Sequence, residues 1–177
     1  ISGDGRFVAY ITTATNIVDG GNISGSLFLH DRQTSQTTLI SKAHDDGDAD
    51  NVIAALKYSP DGKYIAFQTI ATNIVTGDAN GKEDIFLYDV AAGTTIKITN
   101  DYLGGDSDGV SGAPYFTRDS EYVYFDSSAK DLLPPNEDDN DAGDVYLYHI
   151  KTGTIERVSI ANDGTEGNDE SFVFTEI

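Results

Sequence analysis

Short runs of apolar residues recur along the chain, and each run is bounded by Gly, Asp, Asn or Ser. Tyr64–Thr69 and Asp84–Val90 are two examples, rich in β-branched and aromatic side chains. Such residues favour β-strands, and a run that is apolar at nearly every position indicates a strand covered on both faces. No segment shows the apolar spacing of an amphipathic helix, so the sequence predicts an all-β protein with essentially no helix.

These runs belong to a unit that repeats along the chain. The segments ISGDGRFVAY (from Ile1), YSPDGKYIAF (from Tyr58) and FTRDSEYVYF (from Phe116) align without gaps, and a fourth copy begins at Phe174. The period is therefore 57 residues, then 58, then 58. We interpret residues 1–177 as a single domain with repeats at 1–57, 58–115 and 116–173.

Each unit predicts four antiparallel strands joined by tight turns. Between the first two strands, Ser59-Pro60-Asp61-Gly62 places Pro and Gly where a type I turn favours them. Gly93 and Gly153 stand in the turn between the third and fourth strands, where a positive φ is needed, and Ser35 takes this place in the first unit. Four-stranded antiparallel units in an unbroken series predict the blades of a β-propeller.

The repeated phrases also resemble a known family. YSPDGKYIAF and DIFLYDVAAGTTIKIT resemble the TolB-like propeller repeats, the SPDG relatives of the WD-type blade, and ATNIVTGDANGKEDIFLYD resembles a bacterial subset with an elongated second loop. The resemblance covers nearly all 177 residues. It implies a propeller, commonly of six blades, and favours a periplasmic or extracellular location. Such blades serve scaffolds, receptors and enzyme lids, so the fold alone does not define a function.

Three blades are too few to close a ring, because propellers have about four to eight. The chain starts just before a second strand (Arg6–Thr13) and finishes on a first strand (Ser171–Thr175), so the first blade is expected to lack its inner strand. Two hypotheses follow. A homodimer could complete a six-bladed ring, each chain donating its C-terminal strand to the other. Alternatively, the chain is part of a longer propeller with further blades.

Charge narrows the classes of partner. The chain has 30 acidic and 11 basic residues, a net charge of −19, and 23 of the acids are Asp. This field disfavours nucleic acid and anionic membranes, and it favours cations or basic partners. A solvated surface screened by high salt is the alternative. The chain has no Cys, and no apolar run reaches the roughly 18 residues of a membrane span.

The acids concentrate in the loops that follow the second and fourth strands of each unit, which emerge on one face of a blade. These loops are residues 14–25, 71–83 and 128–143, and residues 42–51, 100–110 and 160–170. They hold 19 of the 30 acids against three lysines, Lys42, Lys82 and Lys130. We expect counter-ions, a partner or high salt to offset the repulsion on this acidic loop face.

The best-defined candidate metal site lies in the long second loop. Asp78, Asn80 and Asp84 form a D-x-N-x-x-x-D motif. The third unit repeats it with Asp138, Asn140 and Asp144, whereas the first unit has Gly20 and Ser26 at the acid positions. Ca²⁺ takes about six to eight oxygen ligands, so two calcium sites are predicted. The alternative is that Asn80-Gly81 makes a turn and that Asp84 and Asp144 cap the third strand, a reading that Lys82 in the loop favours.

A second candidate site for calcium is the HDDGDAD segment in the last loop of the first unit, with Asp46, Asp48 and Asp50. It is the densest acidic cluster of the chain and could hold a cation together with backbone carbonyls. The alternative is a solvated, flexible loop.

No catalytic arrangement is evident in the sequence. It has no G-x-S-x-G or H-E-x-x-H motif and no phosphate-binding glycine loop, and its three histidines are scattered. The sequence therefore predicts a non-catalytic binding or scaffold propeller, with Ca²⁺ as candidate cofactor and a basic protein or glycan as candidate partner. The alternatives are an accessory propeller of a hydrolase, or a glycosidase with two carboxylates in the central channel. A structural array in an adhesin is a third possibility.

Overall fold

The computed structural model describes residues 1–19, 22–135, 137–138 and 140–173. Within these ranges the chain forms β-strands and turns and no helix, as predicted. The strands are β1 (Phe7–Thr12), β2 (Ser26–Asp31), β3 (Gln36–Leu39), β4 (Ile53–Tyr58), β5 (Tyr64–Thr69), β6 (Asp84–Asp89), β7 (Thr94–Lys97), β8 (Ser111–Phe116), β9 (Tyr122–Ser127), β10 (Asp144–His149) and β11 (Thr154–Arg157). None of the described residues forms a helix with the length and apolar character needed to cross a membrane.

The strands form three antiparallel sheets, each a blade. Their orders are β1-β2-β3, β4-β5-β6-β7 and β8-β9-β10-β11, so each blade follows the chain from its inner to its outer strand. The first sheet has three strands and no inner strand among the described residues, as the sequence predicts. The observed β5 and β6 match the predicted second and third strands to within one residue.

The pairing register is the same in all three blades. Phe7 pairs with Asp31, Tyr64 with Asp89, and Tyr122 with His149 at the same end of the respective sheets. Equivalent residues of the three repeats therefore occupy equivalent positions. This relation allows one repeat to be compared with another residue by residue.

The tight turns have the predicted chemistry. In the turn between β4 and β5, the Gly62 N–H donates to the Ser59 carbonyl at 3.0 Å, and Gly62 has a φ of 76°. The Ser59 hydroxyl accepts the Tyr64 N–H at 2.9 Å, which closes the turn onto the next strand. Between β2 and β3, Ser35 has a φ of 58°, a conformation that costs a non-glycine residue roughly 1–2 kcal/mol.

The hydrophobic core lies between the blades. Leu27 and Leu29 of the first blade meet Phe67 of the second in one buried cluster. Ile85 and Leu87, on the other face of the second blade, pack with Phe125 of the third in another. The middle blade is thus buried on both faces, which explains why β6 is apolar at nearly every position.

The end of the described chain is hydrogen-bonded to the third blade in the way that an inner strand begins. The Ser171 N–H donates to the Gly143 carbonyl at 2.7 Å, as the Ile53 N–H does to Gly25 and the Ser111 N–H to Glu83 where the inner strands of the second and third blades begin. Residues 171–173 are not in a strand. The rest of the predicted strand Ser171–Thr175, and the fourth repeat from Phe174, lie outside the described residues.

At each of the two blade junctions an aspartate carboxylate hydrogen-bonds to the next blade. We call this arrangement the interblade clasp. Asp50, after the first blade, accepts the Thr72 N–H at 2.9 Å and the Thr72 hydroxyl at 2.7 Å, and its own N–H donates to Asn73 Oδ1 at 2.9 Å. At the next junction Asp108 accepts the Lys130 N–H at 2.9 Å, and its N–H donates to Asp131 at 3.0 Å. Thr72 and Asn73 of the second ATNIV segment therefore hydrogen-bond to the preceding blade.

Replacing Asp50 with Ala should destabilise the protein by roughly 0.5–1.5 kcal/mol, because its hydrogen bonds to Thr72 are lost, although they lie at the exposed surface. Urea denaturation measures this difference. The matched control is Asp46→Ala in the same loop, where the side chain is 91% exposed and the expected change is small. Equal effects of the two substitutions would contradict a role for the clasp.

Candidate functional site

The structure brings the acids of the D-x-N-x-x-x-D motif together, each time with a third acid from another loop. Asp78, in the loop after β5, and Asp84, at the start of β6, meet Asp106 from the loop after β7. One carboxylate oxygen from each lies within 4.8 Å of the others. Asp78 is 7% exposed and Asp84 is completely buried. The third blade repeats the arrangement with Asp138, Asp144 and Glu166.

The centre of the first group is occupied by a lysine. Lys97 at the end of β7 is buried, and its Nζ lies 3.3 Å from Asp84 Oδ2 and 3.6 Å from Asp78 Oδ1. The ammonium also donates to Asp106. We call these four residues the Lys97 cluster; the protein itself supplies the cation among its carboxylates.

Arg157 takes the equivalent place in the third blade and defines the Arg157 cluster. Its Nη1 donates to Asp144 Oδ2 at 3.2 Å and to Glu166 Oε2 at 2.8 Å. Asp138 Oδ1 faces the same nitrogen at 3.7 Å, and Asp138 Oδ2 accepts the Tyr146 hydroxyl at 2.6 Å. This cluster too is built around a positive side chain.

The two asparagines of the motif act as turn residues. Asn80 Oδ1 accepts the Lys82 N–H at 2.7 Å, and Gly81 between them has a φ of 64°. Asn80 Nδ2 donates to Asp84 at 3.1 Å. Asn140 Oδ1 accepts the Ala142 N–H at 2.7 Å in the same way. Each asparagine oxygen thus caps a local turn, as the turn alternative expects of Asn80.

The first blade shows what replaces a cluster. Ser26 stands at the position of Asp84 and Asp144, and Leu39 stands at that of Lys97 and Arg157. Ser26 donates to the Ile23 carbonyl at 2.9 Å and holds no charge. Acid and base are thus both present or both absent at these positions, as expected of an ion pair. Gly20, the other predicted acid position of this unit, lies outside the described residues.

Burial and mutual repulsion perturb the titration of the clusters. Burial raises the pKa of Asp78 to about 6, with further upward contributions from Asp84 and Asp106, against the opposing effect of Lys97. Burial likewise raises the pKa of Asp138. Although burial disfavours the Lys97 ammonium, its three carboxylates outweigh this effect and raise its pKa. Lys97 therefore stays charged inside the cluster.

The second candidate site is not assembled in the structure. Within the described ranges, the Lys97 and Arg157 clusters hold the groups of three metal-ligating side chains, and Asp46, Asp48 and Asp50 form no such group. Asp46 is 91% exposed and lies 3.8 Å from Lys42 Nζ. Asp48 pairs through its backbone with Lys42, and Asp50 belongs to the interblade clasp. The loop is closed by hydrogen bonds, including Ala43 N–H to the Gly47 carbonyl at 2.8 Å.

Much of the acidic loop face is engaged within the protein. Besides the clusters and clasps, Asp101 accepts two backbone N–H groups of its own turn, and Asp163 accepts the Thr165 N–H and hydroxyl. The lysines of this face are also bound, Lys82 to the Asp108 carbonyl and Lys130 to Asp141. Local hydrogen bonds and ion pairs thus offset part of the predicted repulsion. Asp139, one of the 19 acids that the sequence places on this face, lies outside the described residues.

Sequence reasoning did not connect the motif with the residues that complete the clusters. Asp106 and Glu166 belong to the fourth-strand loops, and Lys97 and Arg157 stand on outer strands. The shared register was the available signal, because Lys97 and Arg157 occupy the same position in repeats that share the motif, and Leu39 occupies it in the repeat that does not.

No protein-family model matches the chain, and no curated protein matches it. Several solved structures have a similar fold. Porphyromonas gingivalis dipeptidyl peptidase 4 is 14% identical with a TM-score of 0.56, over 96% of this chain and 27% of that one. The tricorn protease is 17% identical with a TM-score of 0.52, over 85% and 13%. A TolB candidate from Agrobacterium tumefaciens is 20% identical with a TM-score of 0.50, over 88% and 46%.

These likenesses show the fold, an all-β arrangement of propeller blades of the kind found in TolB and tricorn protease structures. The chain spans less than half the length of each of these structures. Because enzymes and other proteins share this fold, the likeness assigns no activity.

Replacing Lys97 with Leu, the residue of the first blade, should cost roughly 3–5 kcal/mol, because the buried Asp78 and Asp84 and the half-buried Asp106 lose their counter-charge. The triple variant Asp78→Gly/Asp84→Ser/Lys97→Leu reproduces the first blade and should be more stable than Lys97→Leu alone. Urea denaturation measures both. Lys63→Leu is the control, since it removes an ion pair whose lysine side chain is 69% exposed and should cost far less stability than Lys97→Leu. A triple variant less stable than the single one would refute this account.

The raised pKa of Asp78 predicts a pH dependence. An Asp titrates near pH 4 in an unfolded chain and at about 6 here, so the folded state takes up a proton between these values. The contribution of Asp78 to stability therefore falls as the pH rises from about 4 to 6. The unfolding free energy of Asp78→Asn minus that of the wild type should rise over this window by up to about 3 kcal/mol. A difference that does not change with pH would contradict the assignment.

Proposed function

We propose that this chain is a non-catalytic scaffold segment of a TolB-like propeller, whose buried carboxylates stabilise its long loops instead of acting on a substrate. The observation that carries the proposal is the positive side chain at the centre of each cluster. A general acid or a nucleophile must reach its substrate, whereas Asp84 and Asp144 are completely buried. Asp84 also accepts the Thr99 hydroxyl at 2.6 Å in addition to Lys97 and Asn80.

The same geometry disfavours calcium binding at either cluster. A metal ion at the Lys97 cluster would have to displace an ammonium that already lies 3.3 Å from Asp84 and is bonded to Asp106. At the Arg157 cluster it would have to displace a guanidinium that donates two hydrogen bonds. We therefore propose that the resident cations are Lys97 and Arg157, and that the outward acids of the loop face, such as Asp19 and Asp46, are the surface open to a basic protein or glycan.

Thermal unfolding in Ca²⁺, compared with Mg²⁺ at equal concentration and with EDTA, tests this proposal. The wild type should unfold at the same temperature in Ca²⁺ and Mg²⁺. Lys97→Leu should be destabilised in EDTA and specifically stabilised by Ca²⁺, because it frees three carboxylates whose oxygens lie within 4.8 Å of one another. A calcium-specific rise in the wild-type unfolding temperature would overturn the proposal.

A further inference from the structure

The outward faces of the first and third blades carry the residues of a blade interface. The first flank consists of Val8, Tyr10 and His30 with the loop residues Ala14–Ile17. The second flank consists of Tyr124, Val145, Leu147 and Val158 with Asn168. By register, the strand residues of the first flank match Ile65, Phe67 and Tyr88, and those of the second flank match Ala66, Ile85, Leu87 and Ile98. All of these matching residues are buried between blades.

Most flank residues are less buried than their counterparts at the internal interfaces, although Phe28, which stacks on Tyr10 in the first flank, is completely buried. Phe67 is completely buried and Ile98 is 2% exposed, whereas Tyr10 is half-buried and Val158 is 42% exposed. β10 alternates between buried and half-buried residues, while β6 is buried along nearly its whole length. The two flanks are thus apolar sheet faces that no described blade covers.

Each flank also holds one half of an interblade clasp. Thr15 and Asn16, in the first ATNIV segment, repeat the Thr72-Asn73 pair that binds Asp50, and both are exposed. On the second flank Asn168 stands at the position of Asp50 and Asp108, and its side-chain oxygen can accept the same N–H. The two halves are complementary to each other as the halves of the internal clasps are.

We propose that the first flank of one copy packs on the second flank of a second copy of this chain, in the geometry of the two internal interfaces. A second copy carries the complement of each flank, because both halves of one interface occur on this chain, position for position. The strand edges agree with this: β1 has no neighbour on its inner side among the described residues. The Ser171 N–H is bonded to the third blade at the place where the inner strands of the other blades begin. An unpaired edge of this kind favours pairing with another chain.

Light scattering of the wild-type chain tests this directly. The expected mass is twice the 19.0 kDa of one chain. A mass of 19.0 kDa across the concentration range would overturn the proposal, and so would a dimer that the flank variants below leave intact.

The interface is head to tail, and this permits a complementation test. Leu147→Lys on the second flank and Tyr10→Glu on the first should each shift the protein to the monomer, weakening association at least about tenfold. Mixing the two variants should restore dimers, because one interface of the mixed pair is then unaltered and the other brings opposite charges together. The control is Leu103→Lys, at a leucine that is 78% exposed and lies on neither flank. Failure of the mixture to recover dimers would contradict a head-to-tail interface.

Because the strand substitutions could misfold the protein, a second test uses two substitutions at exposed loop positions. Asn168→Leu removes the proposed clasp acceptor from an exposed position, and Gln33→Leu makes a similar change in the β2–β3 turn. Only Asn168→Leu should raise the dissociation constant of the dimer, with unchanged circular dichroism. Equal dissociation constants for both variants would count against the clasp contact.

Discussion

The burial of each blade against its neighbours is the constraint on which the rest of this structure depends. A four-stranded sheet has two apolar faces, and the middle blade hides both, one against Leu27 and Leu29 and the other against Phe125. Strands covered in this way can be apolar along their middle, so most of the charged residues of the repeat lie in the loops or at strand ends. The loops in turn need internal partners, because many acids meet on one face, and the two clusters and the clasps provide them.

The strands, their order and the incomplete first blade could be predicted from the sequence, because they depend on local preferences and on a repeat with a constant period. β5 and β6 follow from the apolar runs alone. The clusters could be predicted only in part. Asp78 and Asp84 belong to one motif, but Asp106 arrives from a loop beyond the next strand, and an isolated lysine near a strand end is usually solvent-exposed. Only the packing of the loops shows that Lys97 turns inward.

The three repeats form a comparison series within one molecule. At the position of Lys97 the chain uses Lys, Arg and Leu, and the acid at the start of the third strand is present with the first two and replaced by Ser26 with the third. The strands around these positions keep the same pairing register whether the residue is Leu, Lys or Arg. A neutral version of the site is therefore compatible with the blade, which indicates that the charges add to a fold that does not require them.

The clasp between blades has a consequence for how such chains grow. Asp50 and Asp108 bind the backbone N–H of the next blade, and the side chain at that position is Thr72 in one case and Lys130 in the other. Recognition of a peptide group leaves the side chain free to diverge after duplication. A newly duplicated blade therefore keeps the clasp contact to its neighbour before any further substitution. The array can lengthen by whole blades while the surface residues of the blades diverge.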